Sequence, residues 1–558
     1  MKKNIFIGVA WPYVNGSLHI GHLAGYLLPA DIFARFNRLI GNDVLMVSGS
    51  DCHGTPITVE AEKRDLTPND IVNEYHTKHK KLFKQYGISF DIYTKTTAEN
   101  HKNTVQKMFV ELATEGFLYK DKVSQYYDEM HAKFLPDRYV EGVCPFCGYG
   151  ESRGDQCDKC GNILEQGELK NPISKLTKRP VVLRETEHYF FDWKKLEKFL
   201  EKYTQDRKKK WKNWINSEAN SWLKSGLKSR CITRDMDWGI EIPNSQLPEN
   251  LRLQNSENKR IYVWFEAVIG YLSASIELLK DNDAWKKYWY GDSKHYYFMG
   301  KDNLVFHALF WPGQLHGFDK DIHLPDVLMI NQFLNLEGKK FSKSRNIIVD
   351  SDYIGEAYGV DVVRFYLTSI MPEYADANFS WQDFVKVTND LLIGKIGNFI
   401  NRSFKLSENL DFSKMSADEL IADKVNIILE KAYKALTSCQ YKRFIEEISG
   451  IADLGNQYIN QNEPWKKAKD TEGYKKILTN CILMILALQL MFIPLIPETA
   501  EKISQMIGTK ALKWPKKNVS RYLNKLLEKV TVKETKPLFS KIDESMVVIE
   551  KSKLNLES

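Results

Sequence analysis

The chain has no long uninterrupted apolar run. The longest, from Cys481 to Ile496, contains Gln489 and Pro494. A bilayer-spanning helix needs roughly 20 apolar residues, so a buried helix is expected and a membrane is not. No apolar signal segment or Arg- and Ser-rich transit peptide is expected, because Met1-Lys2-Lys3 passes directly into the strand-like run Asn4 to Ala10. Internal repeats and long low-complexity segments are missing. So is any Gly-x-x-x-x-Gly-Lys-Ser/Thr motif, which excludes an ordinary P-loop protein. The charge balance is weak: 79 basic against 72 acidic side chains give a net charge of +7. That permits a nucleic-acid partner without requiring one. Cysteine is scarce, with eight in 558 residues. Four cluster at 144, 147, 157 and 160, and Cys52, Cys231, Cys439 and Cys481 are scattered. A disulfide framework is thereby excluded in favour of a reducing compartment, the cytoplasm, and one metal site.

What is present is strand–helix alternation. Asn4 to Ala10 reads as a strand, followed by a Pro/Asn/Gly turn and a helix from about His22 to Leu39. Asp43 to Gly49 reads as a second strand, with helices over Pro68 to Tyr86 and Ala98 to Glu115. This pattern predicts an α/β fold with a parallel sheet covered on both faces. Ligands of such sheets sit beyond the strand carboxyl ends, which makes the loops at 11–22 and 49–56 site candidates. Residues 117–230 look like an insertion that ends in a Lys-rich helical region. Alternation resumes with strands expected at Ile261 to Trp264 and His295 to Met299. From about Val385 the apolar spacing is helical, as in Phe444-Ile445-Ile448-Ile451-Leu454. The tail after about Ile549 is polar and expected to fray.

Three motifs carry chemistry. His19-Ile20-Gly21-His22 follows a strand and turn at a helix start. Glycine admits a close ligand, a helix N-terminus favours anions, and two histidines three apart share a side. Taken alone, the tetrapeptide also fits two polar residues capping an ordinary helix. Lys340-Phe341-Ser342-Lys343-Ser344-Arg345 follows the turn Leu336-Glu337-Gly338-Lys339. It is either a solvated basic loop or a cationic clamp for a leaving pyrophosphate. Cys144-Pro145-Phe146-Cys147 and Cys157-Asp158-Lys159-Cys160 are paired C-x-x-C knuckles, with glycines at 148, 150, 154 and 161 for the turns. Four thiolates so spaced suit one tetrahedral Zn²⁺, closed and therefore structural, and a redox dithiol is the alternative.

The tetrapeptide His19–His22 and the loop Lys340–Ser344, in that order, are the two signatures of class I aminoacyl-tRNA synthetases, and the chain resembles that class. The stretches Ala10–His22, Ser50–Pro56, Phe134–Arg138, Tyr262–Tyr271, Gly300–Asn303 and Phe306–Pro312 are similar to the methionyl-tRNA synthetase family. The resemblance runs from about residue 4 to 545. It implies a Rossmann-type catalytic domain split by a zinc-knuckle insertion, then an α-helical bundle that binds the anticodon. The implied divisions are 1–116 and 231–325 for the two Rossmann halves and 117–230 for the insertion, with its knuckle at about 139–171. Residues 326–386 would form a stem-contact region with the lysine loop, 387–545 the anticodon domain and 546–558 a polar tail.

The resemblance also implies residue roles. His19, His22, Lys340 and Lys343 would be catalytic, and Gly21, Gly300, Asp302 and Ser342 would join them in binding ATP with Mg²⁺. Tyr13, Trp264, Ala267, Tyr271, His307 and Trp311 would shape the methionine pocket, with Asp51 on the substrate ammonium and Arg234 nearby. Aromatic rings suit a polarizable thioether, and Phe306 adds to that surface. Asn398 and Arg402, four apart on one helix, and Trp465 would read the anticodon of tRNA(Met), the tryptophan by stacking. Some relatives carry a second cysteine set where Ser174 and Thr177 stand here, so one zinc is expected. Phe341 replaces the usual Met, and Val268 replaces the Pro of many relatives. No further C-terminal RNA-binding or dimerising domain is expected, which favours a monomer. Leucyl, isoleucyl and valyl enzymes share both signatures but carry a large editing insertion. A cysteinyl enzyme would use an open zinc site. An inactive zinc-ribbon RNA binder would be expected to lose a signature.

Overall fold

The computed structural model describes residues 2–136, 139–154, 157, 159–160, 164, 167–175, 177–342, 346–412, 415–469, 471–509, 512–533 and 535–554. Five parallel strands form the central sheet, in the spatial order Val327–Asn331, Ser293–Gly300, Asn4–Val9, Asp43–Ser50 and Ile92–Lys95. Asn4–Val9 is the middle strand and is buried from Ile5 to Val9, as a strand covered on both faces must be. Helix Pro68–Gln85 starts where sequence reasoning puts it, because Thr67 and Asp70 form a reciprocal capping box ahead of Pro68. Helix Glu99–Thr114 also lies within its expected span.

The insertion is built on a long antiparallel pair, Leu118–Asp128 with Val182–Phe191. A small sheet of Val140–Val143, Ser152–Arg153 and Lys170–Ser174 carries the knuckle. Its basic part folds as helices Glu197–Arg207 and Asn213–Lys224. These are pinned to the second Rossmann half by Tyr203 Oη donating to Pro325 O at 2.8 Å and Trp211 Nε1 to Asp326 O at 3.1 Å.

Two expectations need correction. Only Ile261 of the run Ile261 to Trp264 is strand, at the end of Lys259–Ile261, and Val263–Glu266 is helical. A short apolar β-branched and aromatic run reads the same in a buried strand and a buried helix. Around residue 387 the backbone is continuously helical, Trp381–Val387 passing through Thr388–Gly397 into Asn398–Ser407. Residues 555–558 of the tail lie outside the described residues, but the fraying expected from about Ile549 is not seen there, since Met546–Ser552 is a helix. Its buried Glu550 accepts hydrogen bonds from Tyr353 and from Tyr358, the latter at 2.9 Å. Composition does not reveal a single anchoring carboxylate.

The helical section packs Glu419–Thr437, Tyr441–Asn462, Glu472–Leu495, Pro497–Ile507 and Val519–Leu527. Among the described residues Glu472–Leu495 alone is long and apolar enough to cross a membrane, and 94% of that apolar stretch is buried within the protein. It lies against helix Leu28–Leu39, which continues the helix begun at the first signature. Arg364 joins these parts. Fully buried, it donates to Asp31 Oδ2 at 2.7 Å, Leu495 O at 2.7 Å and Tyr86 O at 2.9 Å. Arg364→Ala removes the fully buried cation from Asp31 and leaves it only Arg35, at 3.0 Å, as an ionic partner; breaking a buried pair from one side costs about 3–5 kcal/mol. Urea unfolding is expected to show a loss of that size; a loss under about 1 kcal/mol, the scale of an ordinary surface change, would refute the assignment.

Candidate active site and metal centre

The loops beyond the carboxyl ends of Asn4–Val9, Asp43–Ser50, Ser293–Gly300 and Val327–Asn331 converge on one cavity of about 540 Å³. It is lined by Tyr13, His19, Gly21, His22, Asp51, Trp264, Ala267, Tyr271, Gly300, Asp302, His307 and Lys340, all singled out from the sequence. Trp311 stands behind it, fully buried, with Nε1 donating to Tyr297 Oη at 3.1 Å. Lys343 lies outside the described residues. On either side of its loop, Ser342 and Ile347 exchange backbone hydrogen bonds of 3.0 Å.

His19 caps the signature helix. Its Nδ1 accepts from Gly21 N–H at 3.1 Å, while His19 N–H donates to His22 Nδ1 at 3.1 Å, and the two rings are 4.0 Å apart. Phe341 stacks on His19 at 4.4 Å with the planes 10° apart. The substitution in the lysine loop therefore makes the contact that joins the two signatures. A Cβ on Gly21 would meet the His19 ring at 2.8 Å and Phe341 at 3.4 Å, so glycine is what allows this approach.

The helix widens to a π-turn over Leu23–Leu27, directly after His22, and a second π-turn, Phe306–Phe310, carries His307. Such turns redirect side chains and recur at functional sites. His307 Nδ1–H donates to Asn303 O at 3.0 Å, so its Nε2 accepts from Tyr271 Oη at 2.8 Å. Burial lowers its pKa to about 4, and a neutral, aromatic-walled recess results. Trp264 stacks on Phe306 at 4.6 Å and meets Tyr13 edge-on at 6.0 Å.

Asp51 is 4% exposed, and its Oδ1 has no hydrogen-bond partner. Burial, and then the neighbouring Glu266, push its carboxyl well above the usual range. A cation brought by a ligand would relieve both penalties. Burial also raises Asp302, and a Cβ on Gly300 would sit 2.8 Å from its Oδ1. Arg234 lines an adjoining cavity with Tyr13, His53 and Trp264. It stacks 4.0 Å over Tyr262 and donates to Cys231 O and Thr233 O, so backbone carbonyls fix its head rather than the carboxylate of a structural pair.

Sequence reasoning missed several lining residues: Trp11, Tyr26, Asn303, Gln332 and Phe333. Gln332 and Phe333 follow a strand carboxyl end, and the same rule that picked the first two loops would have found them had Val327–Asn331 been recognised. Trp11 lies in the candidate loop 11–22, but nothing in its residue type assigns it a role. Its ring fills the space where Cβ atoms on Gly49 and Gly270 would lie, at 2.3 and 2.6 Å.

At the knuckle the sulfurs of Cys144, Cys147, Cys157 and Cys160 all lie within 4.8 Å of one another. The Cys144–Cys160 and Cys147–Cys157 pairs are 3.8 and 3.6 Å apart. Those spacings are too long for disulfides and fit four thiolates around one zinc. Gly148, at φ +73°, permits the turn. Ser174 and Thr177 form a hydroxyl turn, Thr177 N–H donating to Ser174 Oγ at 3.3 Å and Thr177 Oγ1 to Asp128 Oδ2 at 3.1 Å. Gly161 and the pair Asp137-Arg138 lie outside the described residues.

In the helical section a third π-turn, Thr388–Gly397, precedes Asn398, which is exposed. Arg402 lies 5.2 Å over the ring of Trp465, which is 47% exposed, and donates from Nη2 to Asn460 Oδ1 at 3.0 Å. Both line a shallow cavity with Lys405, Lys536 and Pro537.

The sequence profile of tRNA synthetases class I (M) matches residues 5–404. The profile of the anticodon binding domain of methionyl tRNA ligase matches residues 412–553. The chain belongs to the methionyl-tRNA synthetase family. The methionine–tRNA ligase of Dehalococcoides mccartyi (strain CBDB1) is 40% identical over the full length of both chains. That of Roseiflexus sp. (strain RS-1) is 40% identical over 91% of this chain and 87% of its own. The fold matches Mycobacterium tuberculosis methionyl-tRNA synthetase, solved in complex with methionyl-adenylate. Its TM-score is 0.76 at 23% identity, over 97% of this chain and all of the other.

Proposed function

We propose that this family member is a methionine–tRNA ligase, activating L-methionine with ATP to methionyl-adenylate and then transferring the methionyl group to tRNA(Met). The observation that carries the reading is the stacking of Phe341 on His19 above the cavity that holds Asp51. It brings phosphate-binding chemistry and a buried cation acceptor to one space. Asp51 takes the substrate ammonium, and the thioether lies among Tyr13, Trp264, Tyr271 and the neutral His307. Ala267 and Trp311 support that wall.

The methionine carboxylate attacks the α-phosphorus of ATP, and pyrophosphate leaves. His19, His22, Lys340 and Lys343 stabilise the charge that builds on the transferring group, while Gly21, Gly300, Asp302 and Ser342 hold the nucleotide. Mg²⁺ accompanying ATP neutralises its phosphates. No side-chain nucleophile is required. In the second step a hydroxyl at the tRNA 3′ end attacks the carbonyl carbon of the adenylate, the ester forms and AMP leaves, with the anticodon on Asn398, Arg402 and the Trp465 face. The zinc is structural, since four protein thiolates leave no open position. Eight unpaired cysteines suit a reducing cytoplasm.

Exchange of labelled pyrophosphate into ATP is expected with methionine and not with leucine, isoleucine, valine or cysteine. His22→Ala is expected to slow it about 10²–10³-fold, the cost of one charge-stabilising donor. Unchanged exchange would remove His22 from the mechanism, and exchange driven by another amino acid would overturn the substrate assignment. Elemental analysis should find one zinc per chain, lost in Cys157→Ser. Two zincs, or retention in the variant, would contradict the single-site reading.

A further inference from the structure

We infer that Glu266, which lies outside the cavity, is a positioning residue for ammonium recognition: it anchors His53, two residues beyond Asp51 in the turn that presents the Asp51 carboxylate. The inference rests on the methionine reading above and extends it to a residue that no ligand touches.

Glu266 is fully buried at the end of the short helix Val263–Glu266, one residue before the cavity-lining Ala267. Burying a carboxylate is costly unless its oxygens are matched, and both are. Oε1 accepts from His53 Nδ1 at 2.8 Å, and Oε2 accepts from His101 Nε2 at 2.6 Å. His101 Nδ1 then lies 2.8 Å from Ser273 Oγ, on the helix that carries Tyr271. The His53 arm leads straight to the site, because His53 follows Asp51 by two residues in the same buried turn. The His53 ring is further confined by Trp238, edge-on at 5.6 Å, whose Nε1 donates to Cys52 O at 2.8 Å. The turn Asp51-Cys52-His53 is therefore held from both sides, and the buried Asp51 Oδ1 is left unmatched.

A purely structural ion cluster would have no reason to leave that oxygen bare. Glu266 also contributes charge: it is the charged neighbour that opposes ionisation of Asp51. Two carboxylates in one buried region, with one oxygen unmatched, are complementary to a single cation. Both effects act on the amino end of the substrate and not on its thioether.

Equilibrium binding of three ligands without ATP tests this. L-Methionine and L-methioninol carry the ammonium, and 4-(methylthio)butanoate does not. Glu266→Gln keeps the shape and removes the charge. It is expected to weaken the first two by about tenfold to a hundredfold, the range for misplacing a charge-assisted hydrogen bond, and the third by less than about twofold. Equal weakening of all three, or no change in any, would overturn the inference. Should Glu266→Gln not fold, His53→Gln and His101→Gln separate the two arms. The ammonium-selective loss is expected for His53→Gln only; the same selectivity in His101→Gln, or none in His53→Gln, would also overturn it. Wild-type protein that binds none of the three would instead remove the methionine reading itself.

Discussion

Arg364 and Asp31 form the contact on which the arrangement of the molecule depends. The guanidinium lies in helix Val360–Ser369, and the carboxylate lies in the helix that continues from the first signature. Burial alone would push Asp31 up, but Arg364 and Arg35 outweigh it and hold the carboxyl below its usual range. Ser89 N–H and Oγ donate to Asp31 Oδ1 at 2.8 and 2.6 Å. Arg364 spends its remaining donors on carbonyls at the ends of two helices, at Tyr86 and Leu495. A charged pair with no exposure tolerates no missing partner. The signature helix, the first Rossmann half, the region after the lysine loop and the long apolar helix must therefore meet together or not at all. The anticodon-domain helices are thus coupled to the helix that presents His19 and His22 through one buried hub.

With that frame set, the site needs few further devices. Glycines at 21, 49 and 270 stand where a Cβ would strike His19 or Trp11. π-Turns follow His22, carry His307 and precede Asn398. The C-terminal helix adds a second tie near the lysine loop: Lys551 pairs with Glu337 at 3.1 Å, and Asn346 Nδ2 donates to Lys553 O at 3.1 Å. These contacts brace the turn before Lys340 and the chain just beyond Arg345.

Much of this was legible in the sequence. Asn4–Val9 and Asp43–Ser50 were recognisable because continuous apolar runs bounded by turns are what buried parallel strands require. The signature motifs and paired C-x-x-C knuckles were recognisable because their spacing is local. The strands Ile92–Lys95 and Val327–Asn331 are not legible in the sequence because, at four and five residues, they are too short for a period to show, although Pro325-Asp326 punctuates the start of the second. The helix at Val263 reads as strand in the sequence because a short, largely buried apolar run shows no period. Pairings across long stretches of chain left no local trace: Phe341 on His19, Glu266 between His53 and His101, Trp11 over two glycines, and Glu550 between two tyrosines. Each depends on the fold being complete, and chemistry-bearing residues chosen by motif could not reveal the side chains that hold them.

The central claim is that the cavity beneath the paired signatures receives methionyl-adenylate with its ammonium on Asp51. A crystal structure with a non-hydrolysable methionyl-adenylate analogue tests it directly. The account predicts the amino nitrogen about 3 Å from an Asp51 carboxylate oxygen, the sulfur beside Tyr271 and His307, and the phosphate analogue near His19 and His22. An analogue bound with its amino group away from Asp51, or with its side chain outside the Trp264–Tyr271–His307 recess, would contradict it.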